Sequence, residues 1–227
     1  MQRARSGAEP DVALELVPSG RALPGDADLV LLPGSKATIA DLQALRDAGW
    51  DIDIEAHLRR GGHLLGLCGG YQMLGRTIAD PLGLEGEAGT SLGLGVLAVD
   101  TTLEAGKQLR NVSGHLSLLG RPAMTGYEIH LGVSRGEDLA RGAVELSDGR
   151  VDGAISADDQ VFATYCHGLF DHPEALTALL AWAGMTESAP VDFAARREAD
   201  LDRLADAVEA ALDWQKMAAL LPLQASL

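Results

Sequence analysis

An apolar run that ends on a cysteine between glycines constrains this chain of 227 residues more than any other feature. His63-Leu-Leu-Gly-Leu67 reads as a buried parallel strand, and Cys68-Gly-Gly-Tyr-Gln-Met-Leu74 after it reads as a helix. A tight strand-to-helix turn with small neighbours exposes the residue at its apex, as in a nucleophile elbow. The same grammar stands upstream. Asp28-Leu-Val-Leu-Leu32 is a second apolar run, closed by Pro33-Gly34-Ser35-Lys36. Thr38 and Asp41 then form a capping-box-like helix start, and a further helix runs over Trp50 to Arg60. Strand, turn, helix, helix, strand, turn, helix predicts a doubly wound α/β fold with a mostly parallel sheet.

Farther along, residues 80–93 read as a Gly-rich acidic loop, and 94–102 and 124–133 as strands. Val12 to Val17 alternates like a strand. Gln160 to Cys166 is another strand ending at His167-Gly168, and Pro173 to Ala183 is a helix with Pro in its first turn. The second half has the more antiparallel pattern. From Phe193 to Leu220 the spacing of Leu201, Leu204, Val208 and Leu212 predicts a long amphipathic helix, broken near Asp213.

A thiol at the elbow apex meets the positive end of the following helix, which favours thiolate. The Gly69 N–H would face a developing oxyanion. The plainer reading of Cys68 is a buried, inert thiol. Of six histidines, His167 ends a strand on the carboxyl edge of the sheet, the edge that Cys68 shares. His57 and His63 flank the other end of the cysteine strand. The usual carboxylate two residues past the base is replaced by Leu169, so a Cys–His dyad is expected. His172-Pro173-Glu174 spells an alternative His-x-Glu fragment, or simply an ordinary helix start. The Gly34–Ser35 turn offers further backbone N–H groups for an oxyanion, or is a plain turn. Cys166 reads as a small buried hydrophobe.

Charge and cysteine content exclude other classes. Eighteen Lys and Arg against 33 Asp and Glu leave a net charge of −15, which argues against nucleic acid and anionic membranes as partners. No apolar run approaches the roughly 20 residues of a membrane span. Two cysteines exclude a disulfide scaffold or a four-cysteine metal site, no metal site is expected, and a reducing cytoplasm fits. No Gly-x-x-x-x-Gly-Lys-Ser/Thr loop for ATP occurs.

Together these segments resemble the class I glutamine amidotransferase domain of the cobyric acid synthase type, whose fold is flavodoxin-like. The similarity runs through 22–42, 50–86, TGYEIHLG (125–132), DGAIS (152–156), TYCHGLFD (164–171) and the closing helix 192–213. The resemblance implies Cys68 as nucleophile, His167 as general base, and Gly34, Ser35 and Gly69 around the oxyanion and glutamine. Tyr127, Glu128 and His130 match GYEIH and stand as candidate substrate-side residues. It further implies glutamine as substrate, a corrinoid reached through a synthetase domain, and ATP and Mg on that domain, with no cofactor held by this chain. Residues 1–27 would be a truncated opening segment that lacks the family's first strand. Residues 28–186 would be the amidotransferase domain, and 187–227 a helical extension packed on it. A glutaminase subunit for a separate ligase, a non-catalytic remnant and another cysteine hydrolase are the alternatives.

Overall fold

The structure is a computed structural model that describes residues 12–106, 108–186, 193–214 and 216–217. It divides into two compact units, Met1–Val191 and Asp192–Leu227. In the first, β1 (Leu29–Leu32) leads through α1 (Thr38–Asp47) and α2 (Trp50–Arg59) to β2 (His63–Leu67), which runs into α3 (Gly69–Leu74). β3 (Thr77–Asp80), β4 (Gly89–Leu92) and β5 (Val99–Thr102) follow, then the long β6 (Gln108–Leu116), β7 (Ala123–His130) and β8 (Val133–Gly136). A 3-10 turn at Glu137–Arg141 precedes β9 (Val144–Leu146), β10 (Val151–Asp152) and β11 (Ala154–Ile155). The chain then returns to the middle of the fold as β12 (Val161–Thr164), bends into β13 (Cys166–His167) and closes with α4 (Pro173–Trp182). The second unit holds α5 (Phe193–Ala211).

The α/β class holds, and its parallel part is compact. β1, β2 and β12 pair in parallel, with β11 antiparallel on the edge. Two further sheets, in the orders β10-β9-β6-β7-β13 and β4-β3-β5-β8, are antiparallel except for the β3–β5 pair. The parallel sheet is covered on both faces, so its strands are apolar throughout rather than alternating. Leu64 joins one core cluster with Val30, Leu74 and Ala163, while its neighbour Leu65 joins another with Phe162, Ile155 and Leu169. Both leucines are fully buried, each contributing about 2 kcal/mol of apolar burial.

Several expectations shift. Thr38 opens α1 but does not cap it: Ala37 is the N-cap, the Ser35 hydroxyl accepts the Ala37 N–H at 2.9 Å, and it donates to Asp41. Thr38 is instead buried and bonds Gln72 of α3 at 3.3 Å. The 80–93 segment is not all loop, because β4 lies in it and pairs with β3. Buried Asp80 accepts the Leu84 and Glu85 N–H groups at 2.8 Å each and shapes that turn. Val12 to Val17 forms no continuous strand, only a bridge at Ala13. The expected break near Asp213 agrees with α5 ending at Ala211. The segment before Gly7, where the family's opening strand was expected to be missing, lies outside the described residues.

Candidate active site

β2 delivers Cys68 to a turn that only small neighbours permit. Cys68 has φ 52° and ψ −109°, a positive φ that a side chain rarely adopts, and it caps the N-terminus of α3. Such a residue costs on the order of 1–3 kcal/mol and persists only where its surroundings fix it. Here the Cys68 N–H bonds the Thr164 carbonyl at 2.9 Å, and the Cys68 carbonyl accepts the Gln72 N–H at 3.1 Å. The Pro33 carbonyl takes the Gly70 N–H at 3.1 Å. A Cβ on Gly70 would lie 2.1 Å from the Leu32 carbonyl oxygen, and one on Gly69 would lie 2.8 Å from the Ser35 nitrogen. The elbow and the Gly34–Ser35 turn are therefore pressed together, backbone on backbone. Gly69 opens α3 and carries one of its orphan N–H groups.

The imidazole comes from the other side. β12 pairs with β2 as far as Thr164↔Leu67, then bends so that β13 pairs antiparallel with β7, His167 opposite Tyr127. This bend carries the chain from the parallel sheet into an antiparallel one. The position of a Cβ on Gly34 is 3.5 Å from Cys68 Cβ and 3.5 Å from His167 Cε1. Cys68, His167 and Gly34 thus converge on one point. His167 Nε2 is buried and has no hydrogen-bond partner. Burial, and then the nearby His130, hold the His167 pKa below its usual value, and a hydrogen bond to the Ile129 carbonyl partly opposes them. Nε2 is thus the buried ring nitrogen left to accept a proton. The Cys68 thiol donates to the same Ile129 carbonyl at 3.4 Å.

A protein-family model described as the CobB/CobQ-like glutamine amidotransferase domain matches residues 7–175. The chain belongs to that family. Among solved structures, it is similar to PurLQS from Thermotoga maritima, with 13% identity and a TM-score of 0.53, over 73% of this chain and 84% of that one. It is also similar to a glutamine amidotransferase, with 20% identity and a TM-score of 0.48, over 70% of this chain and 80% of that one. The first supports the fold; the second lies too low to carry an argument.

The remaining family positions separate. Tyr127 stacks on His167, ring centroids 5.0 Å apart and planes at 6°. Glu128, the next residue, is turned to the opposite face by strand alternation. It is 3% exposed and binds Arg150 through both oxygens, at 3.0 and 2.9 Å. Its carboxylate is thus engaged away from the imidazole. His130 stacks on Tyr165 at 3.9 Å, and its Nδ1 faces the Gly132 carbonyl at 3.1 Å. The Ser35 hydroxyl is engaged within its own turn, which leaves the backbone of Gly34 and Ser35 to face the elbow. Leu169 is buried in the core. His172 stands at the N-cap position of α4 without a side-chain cap bond, and Glu174 accepts the Ala123 N–H at 3.2 Å. His57 bonds the His63 carbonyl at 2.8 Å, at the far end of β2. Cys166 is fully buried, and burial pushes its thiol pKa well up, as does the neighbouring Asp152.

Sequence reading assigned no role to Gln72, Asp152, Thr164 or Tyr165. Gln72 donates to the Leu131 carbonyl at 2.8 Å and to the Tyr165 hydroxyl at 3.3 Å, tying α3 to the segment after β7. Asp152 is buried, accepts from the Thr164 hydroxyl, and takes the Tyr165 N–H at 2.9 Å. The Cys166 N–H returns to Thr164 Oγ1 at 3.0 Å, so Asp152 fixes the bend that delivers His167. Its only sequence signal was the DGAIS segment. No group of three or more potential metal ligands occurs among the described residues. Nor is any helix there long and apolar enough to cross a membrane.

Proposed function

We propose that this chain hydrolyses glutamine with Cys68 as nucleophile and His167 as general base, and that it is the ammonia-supplying part of a cobyric acid synthase. Family membership supports the amidotransferase class. The observation that carries the residue roles is the convergence of the strained Cys68, the unpartnered His167 Nε2 and Gly34 on one point. Nε2 takes the thiol proton, and the sulfur attacks the glutamine side-chain amide carbon. The oxyanion rests on backbone N–H groups of Gly69 and of the Gly34–Ser35 turn. Protonated Nε2 gives its proton to the departing nitrogen, releasing ammonia and leaving a glutamyl thioester. Water then loses a proton to Nε2 as its oxygen attacks the thioester, and the proton returns to the departing sulfur. Glutamate leaves and the thiol is restored.

The ammonia would be consumed by ATP- and Mg-dependent amidation of carboxylates on adenosylcobyrinate a,c-diamide, on a synthetase domain that binds those cofactors. Thiols at Cys68 and Cys166, rather than a disulfide, suit a reducing cytoplasm. Cys68→Ala is the test. Glutamate release should fall to the uncatalysed background, and an electrophilic glutamine analogue should label the wild-type chain at Cys68 and leave the variant unlabelled. Hydrolysis that survives Cys68→Ala overturns the assignment.

A further inference from the structure

An imidazole that serves as general base is ordinarily steered by a carboxylate on its other nitrogen. Among the described residues no Asp or Glu acts on the His167 ring; the groups that do are His130 and the Ile129 carbonyl. Position 169, where such a carboxylate is commonly carried, is the buried Leu169. Asp171 approaches the backbone of Gly168, within 3.6 Å of where a Cβ would stand. A neutral imidazole with one hydrogen bond to a backbone carbonyl can still rotate about its Cβ–Cγ bond, which would exchange the two nitrogens.

We propose that Tyr127 is the positioning residue for this base: its ring, lying flat on His167, prevents that rotation and does the orienting work of the missing carboxylate, together with the Ile129 carbonyl. The 6° interplanar angle is what a steering contact requires, since a flip of the imidazole must drive a ring edge into the face of the phenol stacked on it. Both groups come from one strand. Tyr127 is opposite His167 in the β7–β13 register, and Ile129 lies two residues further along the strand. That strand is pinned from behind by the bidentate pair of buried Glu128 with partly exposed Arg150, so the ring has a fixed base. The contact has a second effect. Tyr127 is one of the groups that bury His167, and burial is the main cause of its lowered pKa. The charged and titratable groups that face the imidazole are His130 and Tyr127 from β7 and Cys68 from the elbow. None of them is a carboxylate that would hold the proton on the ring. The base therefore stays neutral and aligned at neutral pH.

This inference rests on the glutaminase reading, but its readout does not. The experiment is a proton NMR titration of His167 in the full chain, alongside the pH dependence of glutaminase kcat and KM, for wild type, Tyr127→Phe and Tyr127→Leu. Tyr127→Phe keeps the stack and should leave the His167 titration and kcat within about twofold of wild type. Tyr127→Leu removes it. The His167 pKa should then rise toward the ordinary value, kcat should fall about tenfold or more with KM within about twofold, and the acid limb of the profile should move up with it. An unchanged titration and kcat in Tyr127→Leu overturns the proposal. So does an equal loss in Tyr127→Phe, which would assign the phenol hydroxyl rather than the ring. If wild type shows no glutaminase activity, the functional reading fails, while the titration still decides whether the ring governs His167.

Discussion

The two sides of the site are held by different means. Cys68 is fixed by backbone: a positive φ, two hydrogen bonds of its own peptide, and glycines that let α3 and the Gly34–Ser35 turn touch. His167 is fixed by side chains brought from distant strands: Tyr127 on its face, Asp152 at its bend and Glu128–Arg150 behind its partner strand. The Cys68 side should therefore fail by unfolding when it is crowded. The His167 side should fail by losing its alignment with Cys68 while the fold survives.

The sharpest break of that contrast is His167→Asn. It should lower kcat by about 10²-fold or more and leave thermal unfolding within a few degrees of wild type. The wild-type profile carries the sign. The His167 pKa lies below its usual value, so the working neutral form persists as pH falls, and activity should fail only on an acid limb below about pH 6.5. A limb centred above neutrality would mean a different base. Gly70→Ala should do the reverse. Its Cβ would stand 2.1 Å from the Leu32 carbonyl oxygen, a backbone atom that cannot yield, so stability should drop by about 3 kcal/mol in a urea titration. Activity should follow the folded fraction.

This difference in construction is also why one side was legible and the other was not. Gly66-Leu-Cys-Gly-Gly70 is local: strand end, apex and helix start are contiguous, so the sequence predicts the turn, Cys68 at its apex and the need for small residues. His167 could be placed at a strand end, but the neighbours that govern it are tens of residues away. Gln108–Leu116, the longest strand among the described residues, pairs along the whole of β7, yet its polar sequence around Gly114 carries no clear alternation. Without that strand the register of β7 is unreadable, and with it the pairing of Tyr127 with His167 and of Glu128 with Arg150. Glu128 shows the result. Sequence resemblance groups it with Tyr127 and His130 as substrate-side, while the pleat buries its carboxylate and pairs it with Arg150. The three tyrosines of the chain follow the same rule: Tyr71 packs on Tyr165, Tyr165 on His130 and Tyr127 on His167, and each contact is long-range.

Asp152 sharpens the comparison within the base side. Burial raises its pKa in the folded chain despite the bonds from Thr164 and Tyr165. A carboxyl raised on folding contributes stability that is present below its unfolded value and is lost as pH rises through the folded one. Asp152→Asn should therefore remove a decline in stability with rising pH, read from urea titrations at several pH values. Asp152→Ala leaves the Tyr165 N–H without its acceptor and should cost about 2 kcal/mol. Its kcat should fall further than its folded fraction, because the bend that aims His167 is loosened.

Glu128→Gln is the gentlest probe and separates two accounts of the same carboxylate. A fully buried pair broken on one side costs several kcal/mol, but Arg150 is 41% exposed and keeps Asp148 at 2.8 Å. Solvent and the second partner absorb much of the loss, which brings the expected destabilisation to about 1 kcal/mol. The glutamine isostere keeps one acceptor for the guanidinium and preserves the strand pairing of Cys166 with residue 128. If Glu128 acts only through that ion pair, kcat should track the folded fraction and KM for glutamine should not move. A rise in KM at unchanged stability would instead place the carboxylate at the substrate, against the bidentate contact with Arg150.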